Sequence, residues 1–237
     1  MTTLHLIRHG KASPSEANYD QLHPRGQEQS RLLGAHLQAH QRHFDRVYCG
    51  PLVRQRDTLR LMREAAGTVG AAWPDERTIA GLTEAPVEML VREVTFALLP
   101  HDEVLQAHMN AVQAAGEDRA ALRSAMTTAF NYLIGLWRTG AATHPGLETY
   151  AAFQSRVIET LEAIVAERGD AAHVAVVTSN GVIRCMLGHV DPSATAVEEL
   201  QFINTSVTTL AVEDRGLRML ARNDVAHLPD PALHTHL

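Results

Sequence analysis

The sequence has few cysteines, no long apolar run and no excess of positive charge. Cys49 and Cys185, its two cysteines, lie far apart, so they form neither a disulfide framework nor a zinc-ligand spacing, and they suit a reducing compartment. No apolar run reaches the roughly 18 residues that a membrane-spanning helix needs, and the N-terminus shows no signal-peptide pattern. The net charge of −6 argues against a general nucleic-acid binder, although local arginines can still bind a small anion. We therefore expect a soluble, cytoplasmic protein that binds neither membrane nor nucleic acid.

The sequence does contain a regular alternation of strand and helix patterns. Its 237 residues, 45% of them hydrophobic, can bury the core of one large domain. The patterns predict strands at 3–7, 45–49, 78–82, 172–178, 206–213 and 217–222, and helices at 26–40, 52–66, 147–168 and 182–188. This predicts an α/β fold in three α/β/α layers with a mostly parallel central sheet. Residues 228–237 are expected to fray.

The alternation stops between about residues 86 and 140. This stretch is rich in alanine and leucine and has no strand signal. We expect a single domain over residues 1–237, with 86–140 inserted as a helical cap over the functional edge of the sheet. The alternative is that the stretch only thickens one helical layer. A cap would choose the substrate, but its alanine-rich helices do not indicate which one.

The stretch LIRHGKAS places Arg8, His9 and Gly10 where the first predicted strand ends. Each has an ordinary explanation by itself: a solvated charge, one of 14 histidines, and a glycine that stops a strand. The combination is more specific, because ligands bind in loops at the carboxyl ends of strands in open α/β sheets. An arginine beside a histidine suits an anion, and glycine lets the backbone approach it closely. The tripeptide therefore predicts an anion site.

A second cationic segment, CGPLVRQRDTL, follows the second predicted strand. Helix N-termini attract anions through free N–H groups and the helix dipole, and Arg54 can add a bidentate grip on phosphate. Arg56 lies about 200° further round an α-helix, so we expect only one of the two to face the site. Near such arginines, Glu84 in GLTEAP could protonate a leaving alkoxide.

These segments resemble, in the same order, the motifs of the histidine phosphatase superfamily, also called phosphoglycerate mutase-like. LIRHGKAS is similar to the family signature, YDQLHPRGQEQSRLLG to its loop and first helix, and GLTE to its acidic motif. CGPLVRQRDT resembles Ser-Pro-Leu-x-Arg-x-x-x-Thr, with Gly50 at the serine position. VAVVTSNGVIR and LQFINTSVTTL are similar to the late strand with its helix and to the penultimate strand. The resemblance covers most of the chain outside the helical insertion and implies the phosphoglycerate mutase-like fold.

The resemblance implies a metal-independent reaction through a phosphohistidine. His9 would be the nucleophile, Arg8 and Arg54 would clamp the phosphoryl oxygens, and Glu84 would be the general acid. Gly10 would let the loop supply a backbone acceptor to the other ring nitrogen of His9, or an N–H to phosphate. No cofactor and no metal site is expected. Further pocket residues are expected at Asn18, Arg25 and Gln29.

The late strand departs from the family pattern, which has a second catalytic histidine there in a Ser/Thr-His-Gly-Gly context. Aligning Val177 and the following GVIR places Ser179 at the histidine position and Asn180 at the first glycine. The chain thus resembles a branch with serine in place of the second catalytic histidine. Three accounts stay open: Ser179 donates to phosphate with the Asn180 amide, another histidine takes the role, or the protein is a pseudoenzyme. The candidate histidines are His5, His23, His173, His189 and His227.

We predict a phosphomonoesterase that acts on a phosphorylated small molecule or a phosphopeptide. One alternative is a catalytically weak or inactive pseudoenzyme that binds a phosphorylated ligand. A phosphomutase is less favoured, because a mutase must shield its intermediate from water and needs a complete, highly charged site. The sequence leaves a homodimer open.

Overall fold

The structure, a computed structural model, describes residues 2–13, 20–67, 73–192 and 202–236. The chain divides into two compact units. The first comprises Met1–Glu84 with Val157–Leu237, and the second comprises Ala85–Arg156. The first unit carries the sheet, and the second is helical.

The first unit is built on a mixed sheet. Its six strands within the described ranges are β1 (Thr2–Arg8), β2 (Arg46–Cys49), β3 (Glu76–Thr78), β4 (His173–Thr178), β5 (Val207–Glu213) and β6 (Gly216–Asp224). Their order is β3-β2-β4-β1-β5-β6, and the first four in that order are parallel. β5 runs antiparallel to β1, and β6 runs antiparallel to β5. This confirms the predicted α/β fold with a mostly parallel sheet and a closing hairpin.

Helices follow most of the strands. In the part of the chain that the structure describes they are α1 (Pro24–Ala39), α2 (Val53–Ala66), α3 (Val87–Met89), α4 (Thr95–Leu98), α5 (Glu103–Ala114), α6 (Arg119–Thr139), α7 (Tyr150–Glu167) and α8 (Asn180–Val190). A π-helical turn, Leu90–Val94, joins α3 to α4, and 3₁₀ turns cover Ala80–Leu82 and Pro231–Leu233. Among these described helices, none has both the length and the apolar character needed to cross a membrane.

The core of the first unit lies on β4 and its neighbours. Residues 174–177 of β4 have no exposed surface, as the uninterrupted apolar run predicts for a strand covered on both faces. Leu33 of α1 and Met62 of α2 pack into one buried cluster with Ile7 of β1, and α8 contacts β1 and β6. Burial of this sheet fixes its register, because a slip of one residue would turn every side chain to the opposite face.

The register brings three loops to one edge of the sheet. Arg8 pairs with Thr178 in the parallel ladder of β1 and β4, and Cys49 pairs with Val177 in that of β2 and β4. These three strands therefore end side by side, at the edge where open α/β sheets bind ligands. His9 follows β1 at this edge, and the loops after β2 and β4 lead directly into α2 and α8.

The second unit contains α3 to α6 and the beginning of α7. Asp102 caps α5 by accepting from the Leu105 N–H at 2.9 Å, and Tyr132 of α6 donates to the same carboxylate at 2.9 Å. Trp137, buried at the end of α6, donates from its indole to the Glu148 carbonyl at 2.7 Å. The helical character predicted for residues 86–140 is observed in this unit. Its role as a cap stays a prediction.

The strand predicted at residues 78–82 is wrong. The third strand is Glu76–Thr78, whereas the predicted strand at 78–82 is mostly a 3₁₀ turn. The turn is packed against α7 so closely that a Cβ on Gly81 would lie 1.7 Å from Thr160 Oγ1.

The segment expected to fray, 228–237, is ordered over its described part. Leu228 and Leu233 are buried, and the carbonyl of Leu233 accepts from Gln29 Nε2 at 2.6 Å. Pro231 begins the 3₁₀ turn Pro231–Leu233, and the buried side chains of Arg8 and Gln29 bind the backbone of the segment.

Candidate active site

His9 lies at the end of β1 with its backbone held from two sides. Its N–H donates to the Thr178 carbonyl of β4 at 2.9 Å. Its carbonyl accepts from Asn204 Nδ2 at 3.1 Å, in the segment that enters β5. The residue is only 5% exposed. These bonds fix the position of the imidazole ring at the ligand-binding edge of the sheet.

The hydrogen bonds of the His9 ring determine its tautomer. Nδ1 lies 2.7 Å from the Gly10 carbonyl, which can only accept, so Nδ1 carries the proton. Nε2 therefore presents a lone pair, and Arg54 Nε donates to it at 3.2 Å. Burial lowers the pKa of His9 well below its ordinary value, and the charges of Arg54 and Arg8 lower it further against the opposing effect of the Gly10 carbonyl. The ring is therefore neutral, and its Nε2 carries no proton.

Gly10 fits this role because no side chain can be accommodated there. A Cβ would lie 2.4 Å from the Gly26 carbonyl at the start of α1. The Gly10 N–H donates to Thr58 Oγ1 at 2.9 Å, while its carbonyl holds the His9 ring. Of the two functions expected for Gly10, supplying the backbone acceptor is the one observed.

Arg54 occupies the first turn of α2 beside His9. It is 7% exposed, whereas Arg56 is exposed, so the two side chains have different surroundings, as their spacing on a helix predicts; that only Arg54 faces the site stays a prediction. Asp20 Oδ1 pairs with Arg54 Nη1 at 2.9 Å, and Asp20 Oδ2 accepts from the Val53 N–H at 2.8 Å. The carboxylate satisfies an N–H group that the helix start leaves without an intrahelical partner, and it orients the guanidinium.

Arg8 is buried at the end of β1, and its guanidinium is held by backbone carbonyls. It donates to the carbonyl of Phe202 and, at 2.6 Å, to that of His236. These contacts fix its positive charge near the His9 ring, where it contributes to the lowered pKa. The C-terminal segment is thus part of the framework of the site.

Glu84 and α8 meet at the same edge of the sheet. The Gly181 N–H, in the first turn of α8, donates to Glu84 Oε1 at 3.0 Å and to Oε2 at 3.3 Å. Glu84 is half-buried and follows the 3₁₀ turn after β3. An N–H at a helix start favours a carboxylate there and fixes its direction.

Ser179 and Asn180 differ in what they present. Ser179 has no exposed surface, and its Oγ accepts from Gln55 Nε2 at 2.8 Å. Asn180, the first residue of α8, is partly exposed, and its Oδ1 has no hydrogen-bond partner among the described residues.

The three further pocket residues expected from the sequence have different surroundings. Asn18 lies outside the described residues, and Arg25 is exposed on α1. Gln29 is buried, and its Oε1 accepts from the Lys11 N–H at 2.9 Å.

The five histidines considered as candidates for a second catalytic histidine lie elsewhere. His5 and His173 are neighbours in another cavity, His189 is exposed in the last turn of α8, and His23 caps α1. His227 Nε2 bonds to Thr205 Oγ1 at 2.9 Å. Within the described ranges, none of these five bonds to the imidazole of His9.

Several residues at the site were not predicted from the sequence. Asp20 and Gln55 lie in segments that resemble family motifs, YDQLHPRGQEQSRLLG and CGPLVRQRDT. Neither charge nor spacing in the sequence assigned a role to either residue. Thr205, a β-branched residue with φ of 62°, donates its N–H to the Arg8 carbonyl at 3.1 Å. Such a backbone conformation is strained and needs surrounding contacts to persist. Its signal in the sequence is only the segment INTS before an otherwise ordinary strand.

Nothing in the described residues is arranged as a metal site: no three or more histidine, cysteine, aspartate or glutamate side chains form a group that could hold an ion. The arrangement instead combines a neutral imidazole, two buried guanidinium groups and a carboxylate at one sheet edge. A site of this composition suits a phosphoryl group, whose oxygens carry negative charge.

The fold and these residues define a member of a phosphoryl-transfer family. The sequence matches the histidine phosphatase superfamily (branch 1) over residues 4–85 and 102–225. The chain therefore belongs to this superfamily, whose members are phosphatases or mutases. No curated protein matches it.

Solved structures with a similar fold come from several organisms. An α-ribazole phosphatase from Shigella flexneri has a TM-score of 0.63 at 18% identity, covering 95% of this chain and 98% of that one. A phosphoserine phosphatase from Entamoeba histolytica in complex with 3-phosphoglyceric acid has 0.60 at 19%, covering 96% and 100%. A phosphoglycerate mutase from Bacillus anthracis has 0.63 at 17%, covering 96% and 95%. At these identities the likeness shows the fold.

Proposed function

We propose that the chain is a phosphomonoesterase that works through a phosphohistidine on His9. The observation that carries the proposal is the His9 ring, which is neutral, protonated on Nδ1 and directs its Nε2 lone pair at the Arg54 guanidinium. A neutral nitrogen nucleophile can divide one difficult displacement into two easier ones. Positioning and charge supply most of the catalysis in phosphoryl transfer, and this edge of the sheet offers both.

In the first step, the Nε2 lone pair attacks phosphorus in line and the bond to the leaving oxygen breaks. Glu84 gives its proton to that oxygen, so the alcohol leaves neutral. The positive charge gained by the phosphorylated ring is stabilised through its Nδ1–H bond to the Gly10 carbonyl. In the second step, water attacks phosphorus and gives a proton to Glu84, the bond between phosphorus and Nε2 breaks, and inorganic phosphate and neutral His9 are released.

The other residues would bind the phosphoryl oxygens. Arg54 and Arg8 supply positive charge, and both are buried, so their charges are weakly screened. Asn180 is partly exposed at the start of α8, and its side-chain amide would donate to a phosphoryl oxygen. Ser179, which is buried directly before it, would support that residue rather than contact phosphate. Loss of one preorganised donor to a transition-state oxyanion costs about 10²–10³ in rate, so serine for histidine weakens the site without abolishing it.

The proposed substrates are phosphorylated small molecules or phosphopeptides. Structural neighbours bind molecules of the first kind: the Entamoeba histolytica phosphoserine phosphatase has been solved with phosphoserine and with 3-phosphoglyceric acid. We further propose, from the sequence alone, that residues 86–140 choose among leaving groups.

A specific observation favours a second candidate, a pseudoenzyme that binds a phosphorylated ligand without turning it over. The Ser179 side chain is fully buried and its Oγ is engaged by Gln55, so it does not offer the accessible donor that a second histidine would. In this alternative the arginines bind phosphate but transfer does not follow.

Steady-state hydrolysis of p-nitrophenyl phosphate and a panel of phosphomonoesters, from mildly acid to neutral pH without added metal, tests the proposal. We expect turnover that His9→Ala abolishes. Arg54→Gln should lower kcat/KM by about 10²–10³, whereas Arg56→Gln, on the exposed side of α2, should change it less than about twofold. Release of inorganic phosphate, compared with formation of a new phosphomonoester on an added alcohol acceptor, would separate hydrolysis from mutase transfer. Binding of phosphomonoesters with no turnover above the His9→Ala background would favour the pseudoenzyme.

A further inference from the structure

Gln55, in the first turn of α2, has its side-chain amide bound at both ends. Its Oε1 accepts from the Leu52 N–H at 3.1 Å, and its Nε2 donates to the Leu82 carbonyl at 3.1 Å and to Ser179 Oγ at 2.8 Å. A backbone N–H can only donate and a carbonyl can only accept, so the orientation of the amide is determined. Gln55 has no exposed surface. Its amide is therefore a fixed, fully buried link.

Each of the three partners of this amide comes shortly before a residue or helix of the candidate site in the sequence. Leu52 comes two residues before Arg54, and Leu82 two residues before Glu84. Ser179 directly precedes the first residue of α8, the helix whose Gly181 N–H holds the Glu84 carboxylate. One amide thus connects the loops that carry the proposed phosphate clamp and the proposed general acid.

The Leu82 carbonyl is held especially firmly. It accepts from Gln55 Nε2 and also, at 2.9 Å, from Thr178 Oγ1 at the end of β4. Both of its lone pairs are therefore used, and Leu82 itself is fully buried. Removal of the Gln55 donor would leave this carbonyl with one bond and release the turn that leads into Glu84.

Gly50 gives the amide its space. A Cβ at this position would lie 2.1 Å from Gln55 Oε1 and 2.8 Å from the Leu82 carbonyl. A side chain at residue 50 would displace the amide from its place. The glycine at the serine position of the motif and the buried glutamine five residues later are therefore linked by packing.

We propose that Gln55 is a positioning residue that sets the Glu84 carboxylate against the His9–Arg54 pair, with Gly50 providing the space. The inference rests on the proposed function, since it assigns a task within that reaction. Gln55 touches no reacting atom and acts through the loops it holds. Its loss should therefore harm proton delivery to the leaving group more than attack on phosphorus.

The test uses aryl phosphates whose leaving phenols differ in acidity: p-nitrophenyl, phenyl and p-methoxyphenyl phosphate. An acidic phenol leaves with little help, whereas a weakly acidic one needs the proton from Glu84. For Gln55→Leu, which keeps the bulk of the side chain, we expect kcat/KM to fall about 10-fold on p-nitrophenyl phosphate and about 100-fold or more on p-methoxyphenyl phosphate. Gln38→Leu, the same change at an exposed position of α1, should leave all three values unchanged.

Two further variants keep the inference testable if Gln55→Leu fails to fold. Gln55→Met keeps the length of the side chain but can neither accept from the Leu52 N–H nor donate to the Leu82 carbonyl, so it should show the same dependence on the leaving group. Gly50→Ala should do so as well, because its Cβ displaces the amide. Circular dichroism melts would verify that each variant is folded.

An equal loss on all three substrates in a folded variant would overturn the role of Gln55 and leave the proposed function standing. Absence of hydrolysis by the wild-type protein on every substrate would overturn both. A loss that grows with the basicity of the leaving group, absent from Gln38→Leu, would support both.

Discussion

Two histidines of β1 and its following loop, His5 and His9, are both buried and both kept neutral, yet they sit in different surroundings. Burial lowers the pKa of His5 to about 4, helped by His173 and Arg42. Thr3 Oγ1 lies 3.2 Å from its Nε2, and Thr209 Oγ1 lies 3.4 Å from its Nδ1. In His9, by contrast, a carbonyl holds one nitrogen and a guanidinium faces the other.

The cavity around His5 shows that a group of histidines does not by itself fix the tautomer of any one ring. It has a volume of about 530 Å³ and is lined by five histidines: His5, His36, His43, His173 and His227. Hydroxyl groups can donate or accept, so they satisfy an imidazole nitrogen without fixing which one carries the proton. A carbonyl can only accept, so it fixes the tautomer of His9 and leaves the opposite lone pair available. The comparison teaches that a neutral histidine becomes a candidate nucleophile through its partners, because burial is common to both.

The largest expected difference between the two histidines is covalent. After brief reaction with ³²P-labelled phosphomonoester and quenching in base, which preserves phosphohistidine, we expect label on the wild-type protein and on His5→Gln. His9→Gln should carry none. Digestion and mass spectrometry of the labelled peptide would identify the modified residue. Label that persists in His9→Gln, or that disappears in His5→Gln, would contradict the distinction drawn between the two rings.

A smaller effect should follow from disturbing only the carbonyl that holds the His9 ring. In Gly10→Ala the new Cβ would meet the Gly26 carbonyl, so the loop must shift and the Nδ1 contact is lost. We expect about 1–3 kcal/mol of destabilisation from overpacking and a fall of about 100-fold in kcat/KM. Urea denaturation and steady-state kinetics would measure the two effects separately.

Gly188→Ala is the matched control for this change. No described residue lies within 4 Å of a Cβ at Gly188 in α8, so alanine should leave activity unchanged and raise the free energy of unfolding by about 0.5–1 kcal/mol. Equal behaviour of the two alanine variants would show that the close approach at Gly10 has no functional consequence.

Much of the fold was predictable because its signals are local. The apolar run of β4 and the alternation of strands with helices predicted the sheet, and the segment RHG at the end of β1 predicted the site edge. The helical spacing of Arg54 and Arg56 also predicted that the two side chains differ in orientation, and one is buried while the other is exposed. In each of these cases the pattern and the physical cause lie within one element.

The parts that could not be predicted depend on contacts between distant segments. The bonds of Gln55 to Leu82 and Ser179 span up to 124 residues of sequence, and no local pattern encodes them. The same holds for the C-terminal segment, whose prolines suggested fraying although Gln29 binds its backbone. The strand predicted at 78–82 was wrong because packing against Thr160 imposes a turn there.

The smallest expected effect concerns stability, and its sign follows from the same neutral rings. The pKa of His5 and that of His227 are each about 4 in the folded protein, where burial is the largest cause, against an ordinary value of 6.5. Well above pH 6.5 neither the folded nor the unfolded state binds these protons, so the stability is complete. As the pH falls from 6.5 towards 4, the unfolded chain takes up protons that the folded protein does not, and the free energy of unfolding decreases.

Replacement of one ring at a time should expose this contribution. Between pH 6.5 and pH 5 we expect each of the two histidines to cost about 1.5 kcal/mol of stability, since the full slope of about 1.4 kcal/mol per pH unit is reached only below the unfolded pKa. His5→Gln and His227→Gln, in which the amide can still hydrogen-bond but does not titrate, should each flatten the pH dependence by that amount in urea denaturation. Curves for the variants that run parallel to the wild type would contradict neutral burial of these rings. A flattened curve for His5→Gln with unchanged catalysis would instead separate the two histidines of β1 and its loop. His5 would then account for part of the pH dependence of stability, whereas His9 would carry the lone pair proposed to react.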